Sequence, residues 1–363
     1  MAEECLFTLL HLSYIRVKRF FLFLLPMYRD RGLVSPVACY SIIPMSYSGF
    51  LNEDITGRVE NLFPAECTVF SLVQWASRLL QNYRIETPRL DAEIILAHLL
   101  KCERIDFHIH PEKPVEDTPA IQYKAAILKR IQRVPLQYIT HHAEFMSLDF
   151  YVDERVLIPR PETELLVEAV LKKQSLLSGE HEIIIMDIGT GSGNIPVTLA
   201  KKTNTTRIFA IDISEDALAV AKINAQKHHV LSKITFLCGD IYKPMNGYAM
   251  ESSVHFIVSN PPYIAHHEFD TLQEEVRKFE PYGALISGRD DLSMFKCIIK
   301  DAQIWLKPGG FIFFEVGEKQ AYKVAQLLED THDFKKAEFI KDYQHINRIV
   351  VAQMEEMRGK NRN

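Results

Sequence analysis

The sequence predicts an α/β fold, a Rossmann-like sheet preceded by a small N-terminal helical domain, and three observations carry that expectation. Apolar residues recur at helical spacing between about Thr68 and Tyr138. From Ile183 onward, buried-looking runs alternate with amphipathic stretches, the pattern of a parallel sheet covered on both faces. A glycine-rich turn directly follows the first of those runs. A chain of 363 residues with 47% hydrophobic content is long enough for this arrangement plus a tail.

Residues 1–55 read as a targeting segment. From Cys5 to Asn52 the only acidic residue is Asp30, while Arg16, Lys18, Arg19, Arg29 and Arg31 are interleaved with apolar side chains, as in an organelle presequence. The run Phe20 to Leu25 is far short of the roughly 20 residues of a spanning helix. No Ala-x-Ala-like site closes it as a secretory signal would require. Mitochondrial import is therefore expected, with a cytoplasmic protein as the alternative, and no membrane partner.

A helical domain is expected over 62–142. Val69, Leu72, Val73, Ala76, Leu79 and Leu80 form one apolar stripe, and Ala92, Ile95, Leu96 and Leu99 a second. The stretch Pro111 to Pro119 reads as a connection, and a last helix is expected from Ile121 to Arg133, ahead of Pro135. Residues 143–160 read as a hairpin linker, with alternation from Glu144 to Leu157. A sheet domain is expected over 161–355, with strands at Ile183 to Ile188, Arg207 to Ile211, Ile234 to Leu237, His255 to Ser259 and Gly310 to Glu315.

Ligands of such sheets bind at the carboxyl ends of the strands, where the topology switches. Gly189-Thr190-Gly191-Ser192-Gly193 lies at such an end and opens a helix. Its third glycine falls at Gly193, where a dinucleotide fingerprint places it one residue later. The next strand ends in Asp212, whose carboxylate can accept both hydroxyls of a ribose. That combination suits a nucleoside cofactor without phosphates, as in the sulfonium donor S-adenosylmethionine. Asp240, beyond the following strand, is expected to meet the adenine amino group, with a cap or turn residue as the alternative.

Asn260-Pro261-Pro262-Tyr263 directly follows a buried strand. Two prolines fix φ and remove donors, leaving carbonyls free to accept hydrogen bonds at a stiff turn. An amide or exocyclic amino nitrogen is a poor nucleophile because its lone pair is delocalised. The Asn260 side-chain oxygen and the Pro261 carbonyl can accept its N–H bonds and aim it at a methyl donor, while Tyr263 packs on the flat face of the target. Positioning of this kind contributes roughly 7–11 kcal/mol in favourable cases.

A metal site and a disulfide framework are not expected. Cys5, Cys39, Cys67, Cys102, Cys238 and Cys297 form no Cys-x-x-Cys pair, and the adjacent histidines 141–142, 228–229 and 266–267 point to different faces. The balance of 42 basic against 47 acidic residues gives a net charge of −5, no overall footprint for nucleic acid.

These motifs resemble the HemK-type glutamine methyltransferases of peptide-chain release factors. The resemblance runs from about Leu72 to Val351 and includes Pro88-Arg89-Leu90-Asp91-Ala92-Glu93, Ile158-Pro159-Arg160-Pro161-Glu162-Thr163-Glu164, the glycine loop, the Asp212 to Asn224 pattern, Asn-Pro-Pro-Tyr, and Glu280-Pro281. It implies an S-adenosylmethionine-dependent methyltransferase whose helical domain grips the release factor and whose substrate is the glutamine of a Gly-Gly-Gln loop. Asn260 to Tyr263 would hold that glutamine. Gly189 to Gly193, Asp212, Ile241 and Asn260 would line the cofactor. Ile241 departs from the aromatic residue of some members, and Asn194 and Pro196 replace small residues after the loop. The segment Arg160 to Glu164 reads equally as a helix start and as ligand-binding. A monomer is expected. A nucleic-acid N6-adenine methyltransferase and a catalytically silent scaffold are the competing readings.

Overall fold

The computed structural model describes residues 62–177, 182–204, 206–288 and 290–356, so the targeting reading of residues 1–55 lies outside the described residues. Among the described residues no helix is long and apolar enough to cross a membrane.

Helix α1 (Val69–Asn82) starts at a capping box, in which Ser71 N donates to Thr68 Oγ1 and Thr68 N to Ser71 Oγ. It buries Val69, Leu72, Trp75, Ala76, Leu79 and Leu80, so Trp75 takes the core place expected of Val73. Helix α2 (Pro88–Leu100) has proline in its first turn, where the missing N–H leaves no intrahelical bond unmade. After the short α3 (Asp106–Ile109), helix α4 runs Asp117–Ile131. It begins earlier than the expected Ile121 because Pro119 lies in its first turn, which tolerates it. It also ends before Arg133, which adopts a left-handed φ of 73°. A further short helix, α5 (Leu136–Thr140), follows Pro135.

The expected hairpin is shorter than Glu144 to Leu157. Strands β1 (Ala143–Phe145) and β2 (Leu148–Phe150) pair antiparallel around Met146 and Ser147, both with positive φ as a two-residue primed turn demands. The remainder is irregular, held where Arg155 donates to the Asp153 carboxylate.

Helix α6 (Pro161–Gln174) leads into the sheet: β3 (Ile183–Ile188), α7 (Asn194–Lys202), β4 (Thr206–Asp212), α8 (Glu215–Lys227), β5 (Ile234–Cys238) and β6 (Val254–Ser259). Then come α9 (Glu274–Phe279), α10 (Tyr282–Leu285), α11 (Ser293–Trp305), β7 (Leu306–Glu315), α12 (Ala321–Asp330), β8 (Glu338–Lys341) and β9 (Asn347–Gln353). The seven strands lie in the order β5-β4-β3-β6-β7-β9-β8. Strands β3 to β7 are parallel, as expected, but β9 runs antiparallel to both β7 and β8. The β8–β9 pairing has a local cause: Asp342 accepts from the backbone of Gln344 and Ile346, making a tight turn that joins only antiparallel strands.

Side chains alternate between two cores. Met186 and Ile188 pack with Phe295, Ile298 and Ala302 of α11, while Ile183 and Ile185 pack with Leu166, Val167 and Val170 of α6. The strand order reverses between β3 and β6, which opens a crevice at their carboxyl ends.

Candidate active site

The glycine loop closes that crevice on one side. Gly189 N and Thr190 N both donate to Ile211 O, folding the loop onto the end of β4. Gly193 turns the chain into α7 with φ 78° and Gly193 N donates to Thr190 O at 2.8 Å. A Cβ at this position would lie 2.9 Å from the Ala221 Cβ, so close packing on α8 as well as backbone conformation requires glycine here. Ser192 is buried, its hydroxyl donating to Asn194 Oδ1, and its carbonyl accepts from Asn224 Nδ2. Asn224 also donates to the Tyr151 carbonyl and accepts from Tyr151 N, tying the exit of the hairpin to the loop.

Asp212 is organised by backbone. Its carboxylate accepts from Gly191 N at 2.8 Å and Ser214 N at 2.9 Å. Burial raises its pKa, against the lowering effect of the backbone N–H groups of Ser214, Gly191 and Ile213. Asp240 sits beyond β5 with its carboxylate on the exposed Lys243 ammonium, 2.8 Å away, and its carbonyl accepts from Lys243 N. That is the turn-residue arrangement. Ile241 beside it is half-buried with φ 52°, a conformation uncommon for a β-branched side chain.

At the end of β3, Asp187 is fully buried and neither carboxylate oxygen has a hydrogen-bond partner. Burial pushes its pKa up to about 7; the nearby Thr190 hydroxyl opposes the shift without reaching hydrogen-bond geometry, and the Asp212 charge adds to it.

The Asn-Pro-Pro-Tyr turn forms the other side. Ser259 Oγ donates to Ile188 O at 2.7 Å, and a Cβ on Gly189 would lie 4.0 Å from Asn260 O, so turn and loop adjoin. Asn260 Nδ2 donates to Thr163 Oγ1 at 3.2 Å, and Thr163 Oγ1 donates to Glu315 Oε2 at 2.6 Å. Glu315 ends β7 fully buried, and burial pushes its pKa up to about 7; Thr163, Arg348 and Asn260 lower it and the Glu162 charge raises it. Pro261 is buried and Pro262 half-buried. The Tyr263 carbonyl accepts from Gln320 Nε2 at 2.9 Å, and burial raises the Tyr263 hydroxyl pKa.

A cavity of about 410 Å³ lies against this turn, lined by Asn260, Pro261, Tyr263, Arg160, Leu157 and Gln273 among others. Arg160 is held on its rim by a 2.6 Å ion pair with the buried Glu280, whose pKa burial raises and Arg160 lowers.

The segment 158–164 therefore divides its roles. Arg160 braces the rim, Glu164 accepts from Met146 N, and no side chain caps α6. Thr163 turns inward to Asn260. Thr163 falls in the segment that reads equally as a helix start and as ligand-binding; Glu315 and Asp187 were not singled out as site residues from the sequence, although both shared one signal with Asp212: an acidic residue ending a buried strand.

Among the described residues no group of His, Cys, Asp or Glu is arranged to hold a metal. The strand order, the loop and the paired turn define a methyltransferase fold with a cofactor crevice, and the Methyltransferase small domain family matches residues 161–279. The PrmC N-terminal domain family matches residues 71–140. The chain is 36% identical over 287 residues to the release factor glutamine methyltransferase of Rhodopirellula baltica, covering 79% of this chain and 96% of that one. It is 37% identical to that of Chlorobaculum tepidum, covering 77% and 95%, and 38% identical to that of Koribacter versatilis, covering 73% and 91%. The chain belongs to the release factor glutamine methyltransferase family.

Proposed function

We propose that this protein methylates the side-chain amide nitrogen of the glutamine in the Gly-Gly-Gln motif of a peptide-chain release factor, with S-adenosylmethionine as donor, and that it does so in mitochondria. The observation that carries the chemistry is the Asn260 carboxamide: its nitrogen donates to Thr163, which leaves its oxygen to accept from a substrate, and Asn260 lines the cavity at the Asn-Pro-Pro-Tyr turn. Family membership supports the choice of a release-factor glutamine over an adenine.

The residues at the crevice fit the donor. The unpartnered, buried Asp187 carboxylate would take the donor's ammonium group, and Asp212 still has lone pairs for ribose hydroxyls beyond those engaged by Gly191 and Ser214. Ile241 would pack against the adenine. The Asp240 carboxylate is exposed and already shared with Lys243, the arrangement of a turn residue. S-adenosylmethionine supplies an electrophilic methyl group on a sulfonium. The protein's part is to hold the nucleophile. Asn260 Oδ1 and the Pro261 carbonyl accept the two N–H bonds of the substrate amide, and Tyr263, anchored through its carbonyl by Gln320, presents its ring to the amide plane. No strong general base is required, because the methylated amide sheds its proton to water after transfer.

Incubation with labelled donor and either a release factor bearing Gly-Gly-Gln or duplex DNA tests the proposal. Labelled factor is the expected result; labelled DNA, or no transfer to either, refutes it. The mitochondrial assignment rests on the composition of residues 1–55, and a mature N-terminus cut within that segment in the native source is its test.

A further inference from the structure

A carboxamide is nearly symmetric in shape and opposite in chemistry at its two ends. With the Asn260 oxygen toward the cavity, the site accepts N–H bonds; with the NH₂ there, it would repel the amide nitrogen it has to hold. Something in the fold must choose between these two rotations, which differ little in sterics.

We infer that Thr163 and Glu315 make that choice: they are positioning residues that lock the polarity of Asn260 and so select a substrate that presents N–H donors. The inference rests on the glutamine-methyltransferase reading above and assigns two residues to that site. Glu315 in its ionised form only accepts, and it takes the single hydroxyl proton of Thr163 at 2.6 Å. The Thr163 oxygen then faces Asn260 with lone pairs, 3.2 Å from Nδ2, and can receive only an N–H. Asn260 is left with one permitted orientation. The three residues come from the first turn of α6, the end of β6 and the end of β7, so the relay is set by the tertiary fold. Thr163 and Glu315 are each 2% exposed, which keeps water from satisfying either rotation.

Thr163→Val keeps the shape and removes the hydroxyl. It is expected to lower kcat for the release-factor substrate by tenfold or more while the donor Kd, measured by calorimetry, stays within about threefold and the melting temperature within a few degrees. Thr163→Ser restores the hydroxyl and is expected to recover kcat to within about threefold of wild type. If Thr163→Val does not fold, Thr163→Ala, which only deletes atoms, carries the same expectation. Near wild-type kcat in the Val or Ala variant overturns the inference. So does an equal loss of donor affinity, or a Ser variant as slow as Val, since either would mark Thr163 as merely structural. Wild-type protein runs alongside: if it transfers no label to the factor, the functional reading has failed, and if it does while Thr163→Val matches it, only the relay has.

Discussion

Replacement of Asp187 by asparagine should make the protein more stable at neutral pH and less able to bind its donor. Asp187 is buried with both oxygens unpartnered, and its pKa is pushed from 3.8 to about 7. Between those values the folded state holds a proton that the unfolded state has released, so stability from this group falls as pH rises and levels off above pH 7. The shift spans roughly three units at about 1.36 kcal/mol each, so the ionised group costs the fold about 4 kcal/mol above pH 7. Asparagine removes that cost but buries an amide, a penalty of about 1–3 kcal/mol that does not depend on pH. Comparing the two proteins at pH 5 and pH 8 cancels the penalty. The advantage of Asp187→Asn should grow by roughly 3 kcal/mol between those conditions, the part of the shift lying between pH 5 and pH 7. Urea denaturation without donor reads the difference. Calorimetry with S-adenosylmethionine should show a roughly 10–100-fold weaker Kd, the range of a lost charge-assisted hydrogen bond. An equal stability change at both pH values would refute the burial argument, and unchanged donor affinity would refute the ammonium assignment.

Asn260→Ala should abolish transfer and leave donor binding within a few-fold; turnover near the wild-type rate would sink the positioning account. Asp212→Ala should weaken donor binding by roughly 10–100-fold, since it removes both the ribose acceptor and the anchor of Gly191 N, and an unchanged Kd in calorimetry would remove the ribose assignment. Gly193→Ala should destabilise by more than about 1 kcal/mol, because φ is 78° and the new Cβ meets Ala221 at 2.9 Å; a melting temperature equal to wild type would show that α7 and α8 part without cost.

What the sequence made legible follows from what periodicity can encode. The strand Ile183–Ile188 was readable end to end because it is an apolar run broken only by Asp187 near its end, and its neighbours were off by one to four residues at their ends. Strands β8 and β9 were not read: β8 has only half-buried and exposed positions, so it offers no apolar run to detect. Pro119 was taken as a breaker because a proline's effect depends on its place in the helix, which the local sequence does not reveal. In the site, the glycine loop, Asp212 and Asn260 were legible because each lies next to a strand end with its motif intact.

Thr163 shows why the local sequence left its role undecided between helix start and ligand site. Proline, glutamate and threonine at a helix start offer the backbone favourable charge and a hydroxyl, and in isolation such a hydroxyl serves the first turn. In the fold it points to Glu315, 152 residues away, and to Asn260, 97 residues away. The choice between those partners is made by the register of β6 against β7, where Ser259 lies opposite Phe314 and so brings the next residues, Asn260 and Glu315, to one place. A local pattern can say that Thr163 has a hydroxyl to give. Only the pairing of two distant strand ends decides that it goes to a buried carboxylate, and thereby which end of Asn260 meets the substrate.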